Sequence, residues 1–217
     1  MLKANRFDFN NCLGWEAPQW ASAHTFAKAW AKREGLPDSV EWMEWDNPKG
    51  RMWQKRDVDA FAGCVPISMK FRFEDFGDML IELYSDMEEA KEGWGSTSRS
   101  HNIFYFISLE RVNRELSEPS PVLKWKVNVI DTDYIRRLVH SLRGDPEIQR
   151  LRDLSAWPAD TYTMKAATRE GEVQVIRIPT FIGGNLMWWG LCVAVPWDQI
   201  PHEEWRTGGL ISHWTKV

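Results

Sequence analysis

Three charged side chains sit inside apolar runs of one stretch. From Lys55 to Ser85 the chain reads KRDVDAFAGCVPISMKFRFEDFGDMLIELYS. Asp59 lies in Val58-Asp59-Ala60-Phe61, Lys70 within Val65 to Phe73, and Glu82 within Met79 to Tyr84. Each run reads as a strand, with Gly63 as a hairpin turn and Gly77-Asp78 at the second junction. Paired strands lie about 4.8 Å apart, so the expectation is a three-strand unit in which the three charges converge. Burying a charge costs several kcal/mol unless it is paired or metal-bound, which makes the cluster the first candidate for chemistry. Mg²⁺ takes oxygen ligands and uses one or two protein carboxylates, leaving room for phosphate and water. Asp59 and Glu82 are therefore the candidate ligands for Mg²⁺ or Mn²⁺. Lys70 is the candidate to orient an attacking water or to neutralise charge developing on a phosphate.

The flanking sequence must position that stretch. A helix is expected from Pro18 to about Arg33, with Trp20, Ala23, Ala27, Trp30 and Ala31 on one face and Gly35 beyond its end. Glu16 and Gln19, at its start, are either accessory residues of a cleft or solvated helix-start residues. Residues 36–53 read as an irregular or short-stranded connection pinned by Trp42, Trp45 and Trp53. Residues 86–100, DMEEAKEGWGSTSRS, read as a functional loop because of Gly93, Gly95 and the serines. Within it, Trp94 could stack on a base or anchor the loop, and Lys91 and Arg99 could reach phosphates or lie solvated.

Further on, IFYFISL (103–109) and LKWKVNVI (123–130) read as strands, separated by polar linker. Asp131-Thr132 caps a helix from Tyr134 to Leu142 whose core face holds Ile135, Leu138 and Val139 or Leu142. Arg136, Arg137, Arg143, Arg150 and Arg152 make this region basic, as a groove flank or as a solvated helix face. Residues 153–171 read as loop. Strands at 172–179 and 187–196 flank Gly183-Gly184-Asn185, and the tail reads as a short helical segment and a loose end. The order points to an α/β or α+β fold with one central mixed sheet flanked by helices, in a single domain over 1–217.

Composition bounds the function less tightly. The 217 residues carry a net charge of −4, with 43% hydrophobic and 27% charged residues, as in an ordinary globular protein. That charge argues neither for a basic nucleic-acid coat nor for an acidic tail, and it does not exclude a local basic groove. The 14 Trp exceed ordinary usage, and imply both core positions and a surface that meets a partner. Three Cys without a CxxC give no disulfide or zinc framework. The five His lack metal-site spacing, and neither a GxSxG elbow nor a phosphate loop is present. With no apolar run of membrane-spanning length and no signal-like N-terminus, the expectation is a cytoplasmic protein with no membrane partner.

A helix, a strand ending in Asp59, a hairpin, and a strand carrying Lys70 resemble the PD-(D/E)XK nuclease superfamily. GDMLIELYSDMEEAKEGWGSTSRSHNIFYF and the late AVPWDQI are similar to patterns in its phage and bacterial members, over roughly residues 15–200. The resemblance implies a restriction-endonuclease-like core. It places Asp59 at the first motif acid and Lys70 at the motif lysine. Ser68 stands where the second acid belongs, and Glu82 is the acid that could have migrated to replace it. A second registration takes Glu82-Leu83-Tyr84 as the motif and loses the lysine. The implied activity is Mg²⁺-dependent DNA endonuclease, of phage or mobile-element type, acting in host cytoplasm and as a homodimer. The alternative is a catalytically degenerate relative that binds nucleic acid or a protein partner, an alternative that Ser68 and the Trp richness favour.

Overall fold

A computed structural model describes residue 14 and residues 16–44, 46–110, 120–182, 185–207 and 214–217. The expected turn at Asn10-Asn11, the Trp45 anchor, the linker residues 111–119 and the Gly183-Gly184 turn lie outside the described residues. In chain order the elements are α1 (Trp20–Arg33), β1 (Val40–Trp42), α2 (Pro48–Gln54), β2 (Ala60–Ala62), β3 (Val65–Arg72), β4 (Asp78–Asp86) and β5 (Lys91–Glu92). Next come α3 (Trp94–Thr97), β6 (Asn102–Ser108), β7 (Trp125–Asp131), α4 (Thr132–Arg143) and α5 (Pro146–Arg152). The chain closes with β8 (Thr163–Thr168), β9 (Gly171–Ile182), β10 (Asn185–Pro196), β11 (Glu203–Thr207) and β12 (Trp214–Lys216). The fold is mixed α/β, with two sheets rather than the single central sheet expected. No helix among the described residues is long and apolar enough to cross a membrane.

The chain divides into two compact units. One contains the described residues up to Phe76, then Ser98–Thr132 and Pro201–Val217. Its sheet has the order β1-β2-β3-β6-β7-β11-β12, antiparallel throughout except for the parallel pair β3 and β6. The β2–β3 hairpin turns at Gly63, whose φ of +60° is open to glycine and strained for other residues. Helix α1 buries Ala23, Ala27, Trp30 and Ala31 at the helical spacing read from the sequence, adds Phe26 to that face, and leaves Trp20 only partly buried. The three alanines and Phe26 on this face are fully buried. The Phe26 ring meets Phe104 at 5.0 Å, Phe106 at 5.6 Å and Trp205 at 5.6 Å, all edge-on. Ile67, Met69, Trp125 and Val127 complete this core.

The other unit holds Gly77–Thr97 and Asp133–Ile200. Its sheet, β5-β4-β10-β9-β8, is wholly antiparallel. Helix α4 buries Ile135, Leu138, Val139 and Leu142, so both alternatives for its fourth core position are used.

The expected three-strand unit is therefore split. β2 and β3 pair as expected, but β4 pairs with β10 and β5, in the second sheet. A reading that pairs neighbours in sequence misses this, because β10 lies more than a hundred residues downstream. Residues 36–53 contain α2, capped by the Asn47 side chain, as well as β1. Residues 145–152 form a helix capped by Asp145, and the expected loop 153–171 contains β8. Within the expected tail, Trp197–Gln199 forms a 3₁₀ turn, Glu203–Thr207 forms β11, Trp214–Lys216 forms β12, and residues 208–213 lie outside the described residues.

The α1 packing gives a direct prediction. Phe26→Ala leaves a cavity between helix and sheet and should cost about 3–5 kcal/mol of unfolding free energy, read by chemical denaturation. A loss below about 1 kcal/mol would show that α1 does not anchor this core.

Candidate active site

Asp59, Ser68 and Lys70 come together at the β2–β3 hairpin, joined by Asp57, which the sequence reading did not single out. Asp59 leads into β2, and its backbone N–H donates to the Ile67 carbonyl at 2.9 Å. Its carboxylate Oδ2 accepts the Met69 backbone N–H at 2.6 Å. Ser68 is fully buried, and its Oγ lies 2.8 Å from Asp57 Oδ2 and 3.3 Å from Asp59 Oδ2. A hydroxyl has one proton to donate, so the two carboxylates share it. Lys70 pairs through Nζ with Asp57 Oδ1, with side-chain exposures of 22% and 14%.

Asp57 reaches this position through an unusual backbone. It follows the end of α2 with φ of +55°, its N–H bonded to the Gln54 carbonyl at 3.0 Å. Glycine is the common residue at such a helix exit. A non-glycine residue held there costs about 1 kcal/mol, although Asp tolerates it better than most. The carboxylate is what this strained position supplies to the cluster. Behind it runs a chain of buried hydroxyls. Ser98 Oγ donates to the Asp57 carbonyl at 3.3 Å, lies 2.8 Å from Ser100 Oγ, and Ser100 Oγ lies 3.0 Å from Thr132 Oγ1.

The charges act on one another. Burial raises the Asp59 carboxyl to about 6, and the Asp57 charge adds to the rise, against the pull of Lys70 and the Met69 and Ser68 hydrogen bonds. Burial alone would lower Lys70, but Asp57 and Asp59 outweigh it and raise its pKa, with the Glu16 charge contributing. Glu16 thus acts on Lys70 through its charge. Gln19 is fully buried and its side-chain amide is spent on backbone, donating to Ser120 O at 2.9 Å and accepting from Val122 N at 2.8 Å.

Glu82 lies in the other unit. It sits on β4 in the five-stranded sheet, not in the sheet of Asp59 and Lys70, and its Oε2 accepts the Trp94 backbone N–H at 3.0 Å. The glycines around Trp94 are there for packing. A Cβ on Gly93 would stand 2.6 Å from Glu82 Cγ, and one on Gly95 would stand 2.9 Å from Ile81 Cγ2. Trp94 opens the one-turn helix α3 and is half-buried, while Lys91 on β5 and Arg99 are exposed. The basic stretch is largely neutralised: Arg136 pairs with Asp133, Arg143 with Glu92 and Arg150 with Glu147.

Among the described residues, no group of three or more His, Cys, Asp or Glu side chains is arranged to hold a metal ion. The donor set at the hairpin is two carboxylates converging on one hydroxyl, and these hard oxygens fit Mg²⁺ or Mn²⁺ when water and phosphate fill the remaining positions. Comparison with known proteins finds no matching family model, no matching curated relative and no matching solved structure.

The raised Asp59 carboxyl sets a pH dependence. Near pH 5 the folded chain holds a proton that the unfolded chain, with an Asp pKa of about 3.9, has largely lost. Stability therefore falls as pH rises from about 4 to about 6 through this group. Asp59→Asn should remove that slope, so the difference in melting temperature between variant and wild type should grow in the variant's favour across the window. A constant difference from pH 4 to 7 would contradict the assignment.

Proposed function

We propose that the β2–β3 hairpin carries the active site of a metal-dependent DNA endonuclease, with Asp57 and Asp59 as the metal-holding pair. The carrying observation is the convergence of both carboxylates on Ser68 Oγ, with Lys70 paired to the same Asp57. Asp57 takes the place assigned to Glu82 by sequence, and it compensates for Ser68 at the position of the second motif acid. A bound Mg²⁺ or Mn²⁺ would supply Lewis acidity toward a phosphoryl oxygen and a more acidic bound water. Lys70 supplies fixed positive charge beside the carboxylates, suited to an anionic phosphorane-like transition state. The Ser68 hydroxyl and the Met69 N–H hold the carboxylates in place without adding charge. A restriction-endonuclease-like core belongs to this proposal. Supporting it are the helix α1 against the sheet, the antiparallel acid-and-lysine hairpin, and the parallel pairing of β3 with β6.

A second reading has its own observation. Lys70 pairs with Asp57 and Ser68 bonds both carboxylates, so the cluster satisfies itself within the chain. A degenerate nuclease fold that binds nucleic acid or a protein would keep this network for stability alone. Ser68→Glu does not separate the readings, since a third carboxylate at a fully buried position should destabilise the fold.

Plasmid nicking with Mg²⁺ or Mn²⁺ separates them. The endonuclease reading expects wild type to nick, Asp57→Asn and Asp59→Asn each to lose more than about 100-fold in rate, and Glu82→Gln to retain activity. Wild type inert on supercoiled, single-stranded and branched DNA would leave the binding-module reading.

A further inference from the structure

Two carboxylates and one lysine leave the site with a net negative charge, which repels a polyanionic substrate. Only cations within about a Debye length, roughly 8–10 Å at physiological salt, offset that repulsion for a substrate phosphate. Two exposed arginines flank the Asp57 turn. Arg56 immediately precedes Asp57, and the Arg99 backbone N–H donates to the Arg56 carbonyl at 2.8 Å. We infer that Arg56 and Arg99 form a clamp for the phosphodiester backbone of DNA beside the Asp57 carboxylate. This inference rests on the endonuclease reading and names the residues that hold its substrate.

The local structure presents both side chains outward. Ser98 and Ser100 are buried and bonded to each other at 2.8 Å, so the residue between them is turned to solvent. Ser98 also holds the Asp57 carbonyl at 3.3 Å, which ties the Arg99 segment to the same turn that carries the site carboxylate. Arg56 is steadied over the Trp53 ring, its guanidinium carbon 5.5 Å from the centroid, and Trp53 in turn meets Phe61 edge-on at 5.2 Å. Neither guanidinium enters an ion pair among the described residues, whereas Arg136, Arg143 and Arg150 are each matched by a carboxylate. Guanidinium groups suit this task because their planar donors match phosphate oxygens in pairs. Lys55, exposed in the adjacent position, adds to the local field.

The test is fluorescence anisotropy of labelled duplex and single-stranded DNA across a potassium chloride series, in EDTA so that binding is read without cleavage. The proteins are wild type, the double variant Arg56→Ala/Arg99→Ala, the charge-keeping Arg56→Lys/Arg99→Lys, and Lys165→Gln as a control at an exposed residue on β8. The clamp predicts that the alanine pair weakens binding and flattens the slope of log K against log salt by about 2, near one unit per lost phosphate contact. The lysine pair should keep most of the slope, and Lys165→Gln should match wild type. Unchanged affinity and slope in the alanine pair overturn the clamp, as does wild type that binds neither DNA. The nicking assay keeps the two ideas apart. Wild-type cleavage abolished by Asp59→Asn, with an alanine pair that binds normally, would sink the clamp and leave the endonuclease reading standing.

Discussion

The ammonium of Lys70, paired with Asp57 and acting on Asp59 through its charge, is the constraint on which the hairpin depends. Two carboxylates converging on a buried hydroxyl are tolerable only with a counter-charge close by. Removing one partner from such a pair typically costs about 3–5 kcal/mol, since it leaves a buried charge uncompensated. Asp57 can serve only because the chain leaves α2 through a left-handed residue, and the Ser98–Ser100–Thr132 hydroxyls hold that exit from behind. Burial, with the Asp57 charge adding to it, raises the Asp59 carboxyl against the pull of Lys70. A site that binds a cation would exchange part of this internal compensation for an external one.

The alternation of β3 connects this chemistry to the scaffold. Ile67 and Met69 belong to the core beneath α1, while Ser68 and Lys70, one residue out of phase, serve the polar cluster. Slipping the hairpin by a single residue would send Lys70 into the hydrophobic core and Met69 toward the carboxylates. The Gly63 turn and the Phe26 packing therefore fix the position of the site as well as the stability of the sheet.

Much of this was legible in the sequence where the signal was local. The helical spacing of Ala23, Ala27, Trp30 and Ala31 marked α1, Gly63 marked the hairpin, and polar residues inside apolar runs marked Asp59 and Lys70. Glu82 misled for a physical reason. Its strand resembles its neighbours, but its partner strand is far downstream, and only the pairing of β4 with β10 shows that it belongs to another sheet. Asp57 was missed because it stands outside every apolar run. Its signal was an acidic residue at the exit of α2, where glycine is usual, but α2 itself read as an irregular connection. In the Gly93-Trp94-Gly95 segment a Cβ on either glycine would meet Glu82 or Ile81, a demand for space that the sequence alone does not display.

Calorimetric titration of Mn²⁺ into wild type, Asp57→Asn, Asp59→Asn and Glu82→Gln tests the central assignment most directly. The account predicts one binding event in wild type, retained in Glu82→Gln, which keeps an acceptor for the Trp94 N–H, and lost in both aspartate variants. Binding that survives Asp57→Asn but disappears in Glu82→Gln would contradict it, as would a wild type that takes up no metal.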